Sequence, residues 1–190
     1  MDAAPGRGKH PVSAMLAGPY GHPFHPILVT VPIGAWATSL VFDAASHLVD
    51  QPGFLTAGST WLIGIGVVGA AAAGLVGVLD LLAIPTGTPA FRTGLAHMIL
   101  NVAVTAGYAL DFAWRTARTA SITPDRLGPV PVGPLLLSLA CFAVLGLSGT
   151  LGGRLAYRYG VRVVDEAAQA EGFTVAEADA RSADQADRAG

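Results

Sequence analysis

Between residues 27 and 157 the polar positions are few, and they divide the chain into four long apolar runs. The runs are 27–49, 57–84, 93–114 and 132–157. Each has the roughly 20 residues that an α-helix needs to cross a bilayer. The first is interrupted only near its end, by Asp43 and His47. The second carries no charge until Asp80. The third holds His97, Asn101 and Asp111, and the fourth is uncharged as far as Arg154. One such run could be the buried helix of a soluble protein. Four in 190 residues leave too little polar surface to cover a soluble bundle. The expected fold is all-α, an integral membrane bundle of four transmembrane helices with short loops and both termini on the same side.

The connections agree with this. "DQPGF" (50–54) and "PTGTPAF" (85–91) have the Pro and Gly of tight turns. The third connection, about 115–131, reads as a longer loop bearing Arg115, Arg118, Asp125 and Arg126. Around the membrane domain, 25–162, lie an N-terminal polar segment, 1–24, and an acidic, Ala-rich tail, 163–190, expected to be flexible. The first 26 residues contain no apolar stretch of the kind a signal peptide has, so the first span is expected to be retained.

Composition reinforces the membrane reading. Only 13% of residues are charged, against about 25% in ordinary soluble domains. The net charge of −2 offers no basic surface for nucleic acid. The single cysteine, Cys141, excludes an internal disulfide and an iron–sulfur cluster held by this chain alone. Ten of the eleven basic residues are Arg, as in proteins from GC-rich bacterial genomes. Six of the basic residues near the spans (Arg7, Lys9, Arg92, Arg154, Arg158, Arg162) fall on the side of the termini, and three (Arg115, Arg118, Arg126) on the other. That imbalance predicts cytoplasmic termini in a bacterial inner membrane. Small residues recur every four positions at Gly66, Ala70 and Gly74, at Gly69, Ala73 and Gly77, and at Gly149 and Gly153. Such faces let helices approach closely in lipid. They serve packing within one bundle, or an oligomer.

Polar side chains inside the membrane are costly and tend to face the protein interior, so they are the candidate functional residues. The topology sorts them into two layers. Towards the cytoplasmic face lie His25, Asp80, His97, Asn101 and Arg154, with every helix contributing. Towards the opposite face lie Asp43, His47 and Asp111. Asp43 and His47 are four apart on one helix face, which predicts a hydrogen bond between them. Asp80 is expected to pair with Arg154.

The segment "GHPFHPILVTVPIG" (21–34) sets His22 and His25 three apart, each before a proline. Residues before proline avoid the helical region, so neither histidine is expected to be helical and the two are not a helical metal pair. Pro26 suits the first turn of helix one. Pro32, deeper in the run, predicts a kink.

These motifs carry a resemblance. "GHPFHPILVTVPIG" with Asp43, "GLVGVLD" (74–80), "RTGLAHMILN" (92–101) and "GGRLAYRYGV" (152–161) resemble the small bacterial membrane proteins grouped as domain of unknown function 2231. The likeness covers residues 21 to about 162. It implies a four-helix integral membrane protein without an established activity. Some similar proteins carry a Rieske-type iron–sulfur domain after the helices, which implies electron transfer in the membrane. This chain has too few cysteines for such a domain, and Arg154 stands where relatives often have histidine.

Three functions compete. One is a redox subunit, binding haem b or supporting a separate iron–sulfur redox protein. Haem can be held between helices by axial histidines, and His25 and His97 are the pair available in one leaflet, with His22, Asp80, Asn101 and Arg154 around them. Another is proton or ion handling through Asp80, His97, Asn101 and Arg154. The third is a non-catalytic bundle whose polar groups satisfy one another. No nucleophile triad, phosphate loop or zinc spacing is present, so catalysis by this chain on its own is not expected.

The charge imbalance predicts a labelling pattern. With single cysteines at Ser121 or Ser182 in a Cys141→Ser background, a membrane-impermeant thiol reagent on intact cells should modify only position 121. Modification at 182 alone would mean the opposite orientation.

Overall fold

The computed structural model describes residues 24–163. His22, Arg7, Lys9 and the tail from residue 164 lie outside the described residues. Five α-helices form the framework: α1 (Phe24–Leu28), α2 (Thr30–Ser46), α3 (Gly53–Leu82), α4 (Pro89–Thr119) and α5 (Val132–Gly153). α1 and α2 together make the first span. The four spans, Phe24–Ser46, Gly53–Leu82, Pro89–Thr119 and Val132–Arg158, are 23, 30, 31 and 27 residues long, enough to cross a bilayer. No strand occurs among the described residues.

The boundaries follow local chemistry. α4 opens on Thr88, whose hydroxyl accepts from Phe91 N–H at 3.1 Å, with Pro89 just inside the helix. α3 and α5 each begin directly after a proline, Pro52 and Pro131. The first span breaks at Val29, between α1 and α2. Pro32 has no N–H to give the Leu28 carbonyl, so the interruption falls one turn before it. His25 differs from the expectation. It sits within helical α1, and the restriction that Pro26 imposes on its neighbour is outweighed by packing and by the Val29 N–H bond to the His25 carbonyl, 3.0 Å.

Each span packs against the next in sequence, and the first also touches the fourth, which closes the ring. Neighbours run antiparallel: His25, at the start of the first span, bonds to Ala73 late in the second, and His97, early in the third, bonds to Ser148 late in the fourth. Residues 24 and 163 are thus at the same end of the bundle. Spans one and three face each other diagonally and meet through side chains. Trp36 and Tyr108 stack at the centre, ring centroids 4.1 Å apart and 13° from parallel. Ile63, Val104 and Cys141 complete that core, and Cys141 is buried as expected of a small apolar side chain.

Polarity is distributed as lipid requires. Asp43, Asp111, Arg115 and five serines are buried, while Val41, Trp61, Val68, Leu75, Leu110 and Leu147 point outward. The small residues of α3 have specific tasks. A Cβ at Gly66 would overlap the Trp36 indole, one at Gly69 would come within 2.8 Å of Val31, and one at Gly77 within 3.0 Å of the His25 ring. Gly74, Gly149 and Gly153 face open space instead.

The loop between α4 and α5 folds back over its end of the bundle. It contains a single 3₁₀ turn, Pro124–Arg126. Thr56 donates to the Gly128 carbonyl at 2.9 Å, and Val130 N–H donates to Ser46 Oγ at 3.1 Å. Gly53 lies so close to the Pro124 carbonyl that no side chain fits there.

The packing of Trp36 yields a paired test. Gly66→Ala should destabilise the bundle by about 1–3 kcal/mol through overpacking, whereas Gly74→Ala should cost nothing. Unfolding of both variants in mixed micelles, followed by tryptophan fluorescence, measures the difference.

Candidate functional site

Two polar layers occupy opposite ends of the bundle axis. The first centres on Arg115, which belongs to α4 and not to a loop. It is 4% exposed. The apolar run ends in sequence at Trp114, yet the helix continues for five more residues, because Arg115 turns inward to meet Asp43 and Asp111. The basic count on that side falls accordingly to Arg118 and Arg126.

All five N–H groups of the guanidinium are engaged. Nη1 donates to Asp43 Oδ1 at 2.8 Å and Ser59 Oγ at 3.0 Å. Nη2 donates to Asp43 Oδ2 at 2.8 Å and Ser138 Oγ at 3.2 Å. Nε donates to Asp111 Oδ2 at 3.1 Å. Ser59 gives its own proton to Asp43 Oδ1, Ser138 gives its proton to Asp111 Oδ2 at 2.7 Å, and Tyr108 O–H donates to the Ser138 carbonyl at 3.0 Å. The two-pronged contact with Asp43 is the strong form of a charge-assisted pair. All four spans contribute. His47 takes no part. It is exposed at the C-terminal cap of α2, and the expected Asp43–His47 bond is replaced because the Arg115 fork occupies both carboxylate oxygens of Asp43.

The second layer brings His25, His97 and Asn101 together. The rings of His25 and His97 lie edge to face, centroids 6.5 Å apart. Nδ1 of His25 is 2.9 Å from the Ala73 carbonyl, and Nδ1 of His97 is 2.9 Å from the Ser148 carbonyl. A carbonyl only accepts, so each Nδ1 carries the hydrogen, and in the neutral ring each Nε2 then keeps its lone pair. Asn101 Nδ2 lies 3.1 Å from His97 Nε2, 2.8 Å from the His97 carbonyl and 2.8 Å from Ser148 Oγ. The last two turns of α5 allow His97 in: a Cβ at Gly152 would approach its ring to 3.2 Å.

Asp80 and Arg154 do not join this cluster as expected. Asp80 Oδ1 accepts from Arg162 Nε at 2.7 Å, and Arg154 is exposed. The reason is a widened turn. Arg154–Arg158 is a π-helix, after which Arg162 takes a left-handed backbone, φ 59°, that swings its side chain back over the end of α3. That conformation is costly for a residue with a side chain, and the ion pair offsets the cost.

Sequence reasoning thus missed Arg115, Ser59, Ser138, Tyr108 and Ser148. One signal was present: Asp111 and Arg115 are four apart, an opposite-charge pair on one helix face. Among the described residues no three of His, Cys, Asp and Glu come together in a group able to hold a metal ion.

A family model described as "Predicted membrane protein (DUF2231)" matches residues 21–165. No curated protein and no solved structure matches the chain.

Removing Arg115 leaves two buried carboxylates without their cation. Arg115→Met should therefore cost about 3–5 kcal/mol. The double variant Asp43→Asn, Arg115→Met should cost less than the single, although it lacks more hydrogen bonds. Thermal unfolding in bicelles checks both values.

Proposed function

Because the chain belongs to the DUF2231 family of predicted membrane proteins, its chemistry is to be sought inside the bilayer, and we propose that its His25–His97 layer binds haem b and makes it a membrane redox subunit. The observation that carries this reading is the tautomer. Both histidines give their Nδ1–H to a backbone carbonyl at 2.9 Å, which orients the ring and makes Nε2 the ligand nitrogen, on His97 one that meanwhile accepts from Asn101 Nδ2. Metal-bound histidines are typically prepared this way, with the second nitrogen hydrogen-bonded.

Other features agree. In distance, the centroid separation of 6.5 Å is close to that of two imidazoles sharing one metal, for metal–nitrogen bonds of about 2 Å; from the edge-to-face arrangement one ring turns to aim its Nε2 at the shared iron. A histidine pair supplies only two ligands, which suits an iron whose other four come from a porphyrin. Asn101 has two Nδ2 hydrogens and three acceptors within reach, so it can release His97 Nε2 and keep both remaining bonds. Gly77 and Gly152 leave the space in which the two rings lie. Haem supplies one-electron chemistry, and the chain supplies the axial nitrogens, their orientation and a water-poor surrounding. Its electrons would be exchanged with a separate redox protein docking at the end of the bundle where this layer lies.

Protein produced with ample haem should show a sharp absorption band on reduction. His97→Ala should abolish the band, His25→Ala should abolish or strongly weaken it, and His47→Ala, at the other end, should leave it unchanged. A colourless, folded protein would overturn the haem reading. A band that survives His97→Ala would overturn the ligand assignment.

A further inference from the structure

The Arg115 cluster does not balance electrically. Asp43 and Asp111 bring two carboxylates to one guanidinium, and all three side chains are buried, at 0%, 0% and 4% exposure. Fully ionised, the group carries an excess negative charge where desolvation is heavily penalised. The groups that touch it do not supply the missing positive charge; Arg118, which lines the neighbouring cavity with Arg115, is exposed and makes no hydrogen bond to either carboxyl group. Span one offers Asp43, span two Ser59, span three Tyr108 and Arg115 itself, and span four Ser138 and Cys141.

The hydrogen bonds show where the imbalance falls. Both oxygens of Asp43 are occupied by Arg115. On Asp111 every donor goes to Oδ2, namely Arg115 Nε and Ser138 Oγ, while Oδ1 is buried and has no partner. An ionised carboxylate has two equivalent oxygens and gains from donors on both. A carboxylic acid has one carbonyl-like acceptor and one hydroxyl, which matches the asymmetry at Asp111.

Polar space adjoins the cluster on the Arg115 side. A cavity of about 180 Å³ is lined by Arg115 together with Thr56, Thr60, Arg118 and Thr119 and by residues of the 120–131 loop. Its lining includes hydroxyls and backbone polar groups suited to water.

We propose that the Asp43–Arg115–Asp111 cluster is a proton-binding site, in which Asp111 Oδ1 takes up one proton from water at the end of the bundle opposite the histidines. Uptake breaks one O–H bond of a hydronium, leaving water, forms one O–H bond at Oδ1, and changes the cluster from −1 to neutral. Asp43 keeps both of its oxygens in the Arg115 fork. The proposal does not depend on haem binding, since it concerns the other end of the molecule.

Infrared difference spectroscopy of the full chain in lipid vesicles tests this directly. At neutral pH the folded protein should show a protonated-carboxyl C=O band that shifts on labelling with carboxyl-¹³C aspartate. The band should also shift after transfer to D₂O, because the proton exchanges. Asp111→Asn should abolish it. Asp43→Asn should abolish it too, since a single carboxylate beside Arg115 leaves no excess charge and Asp111 then ionises. Absence of the band from the folded wild-type protein would overturn the proposal, whatever the variants do. So would a band that survives Asp111→Asn, or one that never responds to D₂O.

Discussion

One guanidinium ties the whole bundle together. Lipid offers apolar helices no hydrophobic reason to prefer each other over acyl chains, so association in a bilayer relies on packing and on polar contacts. Arg115 gathers the polar contacts at a single point. Asp43 reaches it from the first span, Ser59 from the second, Asp111 from its own, and Ser138 from the fourth. Sliding any helix by one turn, about 5.4 Å, would withdraw one of these groups and leave a charge or hydroxyl unpaired in hydrocarbon. The cluster therefore acts on register more than on net stability, since a buried ion pair roughly repays its own desolvation.

The histidine layer inherits that register. Helices are stiff, and fixing spans one and three at Asp43 and Arg115 also fixes what faces what at the far end. His97 and Asp111 are fourteen positions apart in α4, about 21 Å along the axis. Glycines then give the local fit. Without a side chain at Gly77 and Gly152 the two imidazoles have room beside α3 and α5. The break at Val29 lets α1 lean its histidine against Ala73 while α2 keeps its own packing.

The spans were legible, and so was the level at which His25, His97, Asp43 and Asp111 lie, because hydrocarbon imposes a rule simple enough to read along one dimension. Antiparallel topology alone predicts that His25 meets His97 and that Asp43 lies level with Asp111. Partner choice was not legible, because it depends on competition across the bundle. Asp43 ignores His47 four residues away, since an arginine on another helix offers both more charge and a matching fork. Asp80 finds Arg162 instead of Arg154 only because a π-turn and a left-handed residue redirect the chain, and neither has a compositional signature. Arg115 was hidden by the convention that an arginine at the end of an apolar run marks the water interface. Ser59, Ser138 and Ser148 look unremarkable among so many small residues until their hydroxyls are seen pointing inward.

Between the two polar ends stands the stacked pair of Trp36 and Tyr108, with Ile63 and Val104 filling the space around it. That plug fills the axis between the two polar layers with aromatic and aliphatic side chains. With the ends about 21 Å apart and an effective dielectric near 20, a unit charge gained at one would alter the energy of a charge at the other by about 0.8 kcal/mol. That is roughly a fourfold change in an equilibrium constant. The two ends can thus sense each other's charge state through the field alone, with no ion or water having to pass between them.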